Sequence, residues 1–307
     1  MERSDMTTTR TRTDGWLLWL MTLPFFLLVI LFNYVPLAGW SMAFVRYIPG
    51  LSIFKSEYVG FDYFQQLFGT GGELPKAITN TLALGFLGIL ASPLSMILAI
   101  LITEVGQRRL RKFIQVALSL PNFISFIIVY AIFFTFFSVD GGLVNALLLK
   151  LHLISEPTNL LGNESATWLF QTFVVVWKTI GWSAIIYIGA ITSIDLELYD
   201  AASVDGAGRF KKALHVTIPG LMPTFTVLLL LSVGNLLGSN FEQIFVFHNA
   251  LNHDRIVTLD YYSYQAGLVN FDFSLGTAIG VFKSVTSLVI LFAANGVIKR
   301  ISGNSII

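Results

Sequence analysis

Long apolar runs separated by short polar connections dominate this chain. No charged residue occurs between Gly15 and Val45, between Ala77 and Thr103, or between Phe113 and Val139. Each run exceeds the ~20 residues that carry a helix across a bilayer core. A large soluble core would not need uncharged stretches of that length. Six spans fit the pattern, at about 16–38, 80–103, 113–138, 168–191, 221–240 and 275–297, the fourth and sixth each interrupted by one lysine, Lys178 and Lys283. Pro24, Pro93, Pro121, Gly181 and Gly234 lie inside spans and suggest kinks, which membrane helices tolerate when neighbours re-satisfy the freed backbone groups.

Composition sharpens this picture. Of 307 residues 55% are hydrophobic and only 12% charged, about half the charge of a soluble domain, where roughly 25% is usual. The absence of cysteine excludes disulfides, thiolate metal sites and cysteine nucleophiles. A net charge of +1 argues against nucleic acid as a partner. The basic tail of Arg3, Arg10 and Arg12 followed by the run Trp16–Phe32 has the outline of a signal peptide. The run is too long for one, and no small-x-small cleavage site follows in Asn33-Tyr34-Val35-Pro36, so it reads as an uncleaved first span.

Lysine and arginine set the expected orientation. Twelve of them fall on one side: Arg3, Arg10 and Arg12, the cluster Arg108, Arg109, Arg111 and Lys112, then Arg209, Lys211 and Lys212, then Lys299 and Arg300. The other side holds five, Arg46, Lys55, Lys76, Lys150 and Arg255. The expectation is an all-α membrane protein with six transmembrane helices and both termini cytoplasmic. It divides into a tail at 1–15, a membrane domain at 16–300 and a tail at 301–307. Such a chain is a multi-pass protein of the cell (inner or plasma) membrane. The outer connections 39–79, 139–167 and 241–274 are long, yet none is large enough for a domain of its own.

One polar segment stands out between the fourth and fifth spans. Asp195 is placed to cap a short helix that begins Leu196-Glu197-Leu198-Tyr199, and Gly206-Ala207-Gly208 breaks it. Arg209–Ile218 reads as a second helix, with Pro219 and Pro223 marking re-entry into the membrane. Ala201 and Ala202 leave a nearly bare surface suited to a partner's groove. An ordinary amphipathic loop is the bland reading, but the spacing is more specific. Asp200-Ala201-Ala202, Gly206 and Val216-Thr217-Ile218-Pro219 follow an E-A-A-x3-G-x9-I-x-L-P pattern.

That pattern resembles the cytoplasmic coupling loop of permeases in binding-protein-dependent ABC importers. Further segments are similar to the oligosaccharide and polysaccharide branch of the maltose-permease superfamily. They are Asn33–Gly39, Asn235 through Phe241-Glu242-Gln243-Ile244-Phe245, Phe282-Lys283-Ser284-Val285 and the basic end Lys299-Arg300. The chain departs from the motif at Asp200 (normally Glu), Ala213 (often Phe) and Ile218 (normally Leu). The resemblance implies a transport subunit, not an enzyme, with residues 195–219 and in particular Asp200, Ala201, Ala202, Asp205, Gly206, Ala207 and Pro219 meeting an ATPase. It implies a second homologous permease, two copies of a cytoplasmic ATPase that carries ATP and Mg, an extracellular sugar-binding protein and an oligosaccharide substrate. No cofactor is expected in this chain, which lacks a G-x-x-x-x-G-K-[ST] phosphate cradle.

Ionisable groups inside spans are costly and mark candidate path residues. Lys283 sits about 12 Å into the last span, and Glu242 at the outer end of the fifth is its expected partner, either as a cavity wall or as a structural pair. Asn235 and Ser239 are expected on one helix face, with Glu242 three residues on and Asn240 and Gln243 adding polarity. Lys178 with Trp177 and Trp182 offers a charge beside rings that stack on sugars, although tryptophan also belongs to interfacial belts. His152, His215, His248 and His253 look scattered, with no metal-ligand pair at i, i+4, so no metal is expected. A secondary transporter or channel acting without an ATPase is the competing class, but the spans contain no acid for an ion-coupling site. A membrane enzyme would need an acid–base or nucleophile cluster, and none is evident.

Overall fold

The computed structural model describes residues 13–69, 72–238 and 240–302, with side chains from 15 to 296. Most of the two tails (1–15 and 301–307), and Ser239, lie outside the described residues. Among the described residues, five helices are long and apolar enough to cross a membrane: Gly15–Phe44, Leu74–Thr103, Thr167–Thr192, Arg209–Gly234 and Phe273–Gly296. The pair Arg108–Phe123 and Phe126–Phe137 passes the same test only when its two halves are taken together, is bent by 105°, and makes a sixth when counted as one broken span. These are called the first to sixth spans in chain order, the bent pair being the third.

Pro121 explains part of that bend. It lies in a single tight turn, Leu120–Phe123, and the chain then opens to extended backbone at Ile124 before Ser125 caps the next helix. The other expected kinks differ in outcome. Gly181 leaves the fourth span unbroken over its 26 residues. A Cβ there would come within 2.0 Å of the Leu118 carbonyl oxygen, so glycine serves close helix approach rather than bending.

The fifth span begins earlier and ends earlier than its apolar run suggests. Helix is continuous from Arg209, through a π-helical turn at Ala213–Thr217, into Ile218–Gly234. Pro219 therefore does not separate a loop helix from a span. The widened turn just before it accommodates a ring and a missing N–H that a regular α-helix would not. At the other end the helix stops at Gly234, residues 235–238 form turns, and a separate helix Phe241–Phe247 follows. The polar stripe expected along one face is thus broken at Asn235.

Among the described residues, two apolar clusters hold the spans together. The larger joins Leu74 and Ala77, Phe126, Val129 and Phe133, Val174, Ile244 and Phe247, and Ile279. The smaller, nearer residues 192–208, joins Met96, Ala99, Ile100, Ala184, Tyr187 and Leu221. The first span contributes little: its apolar window is wholly unburied within this chain. Its last ten residues, Val35–Phe44, pack on the last span, and just past them the Ser274 hydroxyl donates to the Val45 carbonyl (2.7 Å) and accepts from the Tyr47 N–H (3.0 Å). Beyond it, Val45–Arg46 pairs antiparallel with Glu57–Tyr58, and Arg46 meets Glu57 across the ladder at 3.1 Å.

Candidate functional site

The second, fourth and fifth spans and the start of helix Phe241–Phe247 enclose a cavity of about 450 Å3. Gly85, Gly88, Ser92 and Ser95 come from the second span, Gln171, Thr172, Thr179 and Ser183 from the fourth, and Ser232 and Asn235 from the end of the fifth. Asn240 and Gln243 close one end. Every polar group on this wall is a neutral hydroxyl, amide or phenol; no described charged residue lines it. Several hydroxyl protons are already committed. Thr172, Thr179 and Ser232 donate to the carbonyls of Trp168, Val175 and Leu228 one turn back, at 2.8, 2.8 and 2.9 Å. Their oxygens keep lone pairs free to accept from a ligand hydroxyl. Gln243 is buried and donates to both the Gln171 carbonyl (2.9 Å) and the Gln171 side-chain oxygen (2.7 Å), tying the short helix to the fourth span.

Of the expected path residues, Asn235 and Gln243 line this cavity, while Glu242, Lys178, Lys283 and Trp182 do not. Three of those four converge on the bend in the third span. Lys178 is only 7% exposed and sits about 17 Å along the fourth span from Thr167, near the middle of the helix. Its ammonium donates to the carbonyls of Asn122 (2.8 Å) and Pro121 (3.4 Å) at the carboxyl end of the first half-helix. Glu242 accepts from the Phe126 N–H (3.2 Å) at the amino end of the second. A cation at a helix C-terminus and an anion at an N-terminus both complement the helix dipole, and here they satisfy backbone groups that lipid cannot. Trp182 packs edge-on to Phe123 at 5.4 Å, one turn from Lys178, and Trp177 packs against Phe133 at the same separation.

Lys283 is paired with Asp260, not with Glu242. The turns after Gly234 aim Glu242 at Phe126. Asp260 belongs to a short helix, Leu259–Tyr264, that folds back against the last span. An acid that the sequence places in an outer connection therefore reaches a lysine well inside the span. The histidines also differ from expectation. The His248 and His253 rings meet at 2.9 Å (Nε2 to Nδ1), five residues apart across a turn.

Residues 195–219 form a hook. The Asp195 carboxylate accepts from the Glu197 N–H (3.0 Å), as a cap should, and helix Leu196–Val204 follows. Gly206 takes φ +73°, and the N–H groups of Gly206 and Ala207 return to the carbonyls of Ser203 (3.0 Å) and Ala202 (2.9 Å). That 5→2 and 6→1 pair is the Schellman stop, for which glycine is the least strained residue. The Tyr199 and Thr217 hydroxyls meet at 3.0 Å, and Lys212 donates to Ser203 at 2.6 Å, so the short helix is tied to the base of the fifth span. Asp200, Ala201, Asp205 and Pro219 face outward, and Ala202 and Ala207 are half-buried. Beside them project Val204 (89% exposed), Phe210 (80%) and Leu196 (75%), apolar side chains with nothing of their own chain to cover them. The sequence holds the signal for these three, apolar residues in an otherwise polar segment.

Comparison with known proteins defines the class. Residues 91–303 match the family described as the binding-protein-dependent transport system inner membrane component, and the chain belongs to that family. It is a permease subunit of the ABC-importer class, a multi-pass inner-membrane protein whose class transports rather than catalyses. Protein LplB of Bacillus subtilis (strain 168) is 38% identical, covering 94% of this chain and 90% of that one. The polygalacturonan/rhamnogalacturonan transport system permease protein YteP of the same strain is 39% identical, covering 92% and 88%. The fold matches a solved bacterial alginate ABC transporter in complex with an alginate pentasaccharide-bound periplasmic protein. The TM-score is 0.86 and the identity 34%, over 96% of this chain and 98% of that one.

Proposed function

We propose that this chain forms one wall of the translocation path in an ATP-driven importer of oligosaccharide or polysaccharide fragments. The observation that carries the reading is the neutral cavity between the second, fourth and fifth spans, whose hydroxyl and amide groups suit a polyhydroxylated ligand. Relatives named for polygalacturonan, rhamnogalacturonan and alginate transport support the same substrate class. A second homologous permease completes the path, and the bare face of the first span offers surface for it or for lipid. Residues 192–220 face the cytoplasm together with both termini, as the uneven distribution of lysine and arginine favours.

Two copies of an ATPase, which hold ATP and Mg, engage Asp200, Ala201, Ala202, Asp205, Gly206, Ala207 and Pro219 and the apolar trio beside them. The hook is tied to the fifth span by Tyr199 and Thr217, so force applied to it reaches the cavity wall without slack. Nucleotide shifts the transporter between its two states only through its different affinity for each. On the opposite face an extracellular binding protein delivers the saccharide.

The test is uptake into proteoliposomes containing this chain, its partner permease, the ATPase and the binding protein. The probe is a panel of labelled oligosaccharides, acidic and neutral. Uptake is expected to require internal ATP and to survive collapse of proton and sodium gradients. Gradient-driven uptake, or uptake without the ATPase, would overturn the proposal.

A further inference from the structure

At the end of the molecule opposite the hook, the loop after helix Phe241–Phe247 folds onto the start of the second span. The side chain of Asn80 pins it there, donating to the carbonyls of Asp254 (3.1 Å) and Val257 (2.9 Å). This brings one ligand atom each from Glu73, His253 and Asp254 to within 4.8 Å of one another. His253 Nε2 lies 3.7 Å from Glu73 Oε2, close to the ~3.3 Å between two ligands of a tetrahedral zinc ion held at about 2.0–2.1 Å. That Glu73 oxygen is enclosed and has no hydrogen-bond partner.

We propose that Glu73, His253 and Asp254 form a site for a divalent transition metal of the zinc type, completed by water. One imidazole and two carboxylates are a donor set suited to such an ion. The surroundings are arranged as a metal-binding imidazole needs. His253 Nδ1 faces His248 Nε2 at 2.9 Å, and His248 Nδ1 faces the Tyr261 hydroxyl at 3.2 Å. A chain of donors running from His253 through His248 to Tyr261 leaves the His253 Nε2 lone pair free for the metal and fixes its ring. Lys76 is the built-in competitor. Its ammonium lies 2.9 Å from Asp254 and 3.8 Å from Glu73, so a metal must displace it. Once bound, the ion would clamp the 248–258 loop to the second span.

The test titrates ZnCl2 into the full chain in lipid nanodiscs, with any affinity tag removed, and reads the unfolding temperature and a binding isotherm. Zinc is expected to raise the unfolding temperature, while MgCl2, which favours oxygen donors, is expected to have little effect. Lys76→Met is expected to tighten zinc binding about tenfold, the order set by removing one unit charge a few ångströms away. Glu73→Gln and His253→Ala are each expected to abolish the response. Glu73→Gln preserves side-chain size and so guards against a folding failure in the histidine variant. His248→Phe leaves the three ligands in place and is expected to weaken binding by about 10- to 100-fold. Absence of a zinc response in the wild type, equal affinity in Glu73→Gln, or no gain in Lys76→Met would each overturn the site.

Discussion

Adjacent residues on helix Phe241–Phe247 meet opposite fates. Gln243 turns to the cavity between the second, fourth and fifth spans, and Glu242 turns away from it to hold the broken third span. The two regions lie side by side at membrane depth and follow different rules. The cavity wall is built from neutral hydroxyls and amides, whereas the brace uses a full positive and a full negative charge. Ionisable groups in lipid usually mark a transport route, yet here Lys178 and Glu242 are spent on backbone groups that an interrupted helix leaves without partners. The half-helix ends are therefore already satisfied, whereas the cavity wall carries neutral groups that cost little to expose.

The contrast is broken most severely at Lys178. Lys178→Met strands the Asn122 carbonyl, while the Pro121 carbonyl keeps the Ile124 N–H at 3.4 Å, and is expected to cost about 3 kcal/mol, read as a lower unfolding temperature in nanodiscs. Glu242→Leu strands a single N–H and removes the anion from the helix start, for about 2 kcal/mol, while Glu242→Gln keeps an acceptor and is expected to lose about half as much. Lys283→Met leaves Asp260 without its cation. Both side chains are about a quarter exposed, so solvent discounts the loss to roughly 1–2 kcal/mol, and adding Asp260→Asn is expected to restore most of it. At the small end, Thr179→Val and Ser232→Ala are expected to change stability by less than about 0.5 kcal/mol, since neither hydroxyl proton serves another helix. Their effect is expected in saccharide uptake instead. Wall variants that transport normally, or a Lys178→Met protein as stable as the parent, would dissolve the distinction between wall and brace.

Much of this architecture is written in the sequence. Six uncharged or nearly uncharged runs suffice to place the spans, because a bilayer demands a fixed length of apolar helix. The hook is legible for a different reason: Asp195 and Gly206 are required by local backbone geometry, which needs no knowledge of what packs nearby. Where outcomes depended on distant partners, the pattern misled. Leu236 and Leu237 follow Gly234, but the helix does not continue, and the second span comes so close there that a Cβ on Gly85 would lie 2.4 Å from the Leu236 carbonyl oxygen. Asp260 reads as part of an outer connection, and nothing local shows that its helix folds back to Lys283. His248 and His253 escape a search at i, i+4 because a turn, not a helix, brings them together. Gly181 looks like a hinge and is a contact surface, a difference visible only once Leu118 is seen against it.

The bond between Ser274 and the backbone of Val45 and Tyr47 has a temporal meaning. It joins residues separated by 227 and 229 positions, so the first span cannot find its place until the last has been made. At translation rates of roughly 5–20 residues per second, that is some ten to fifty seconds during which the first span stands in the bilayer without its eventual neighbour. A chain truncated before Ser274 would carry its first five spans without the bond that anchors residues 45–47.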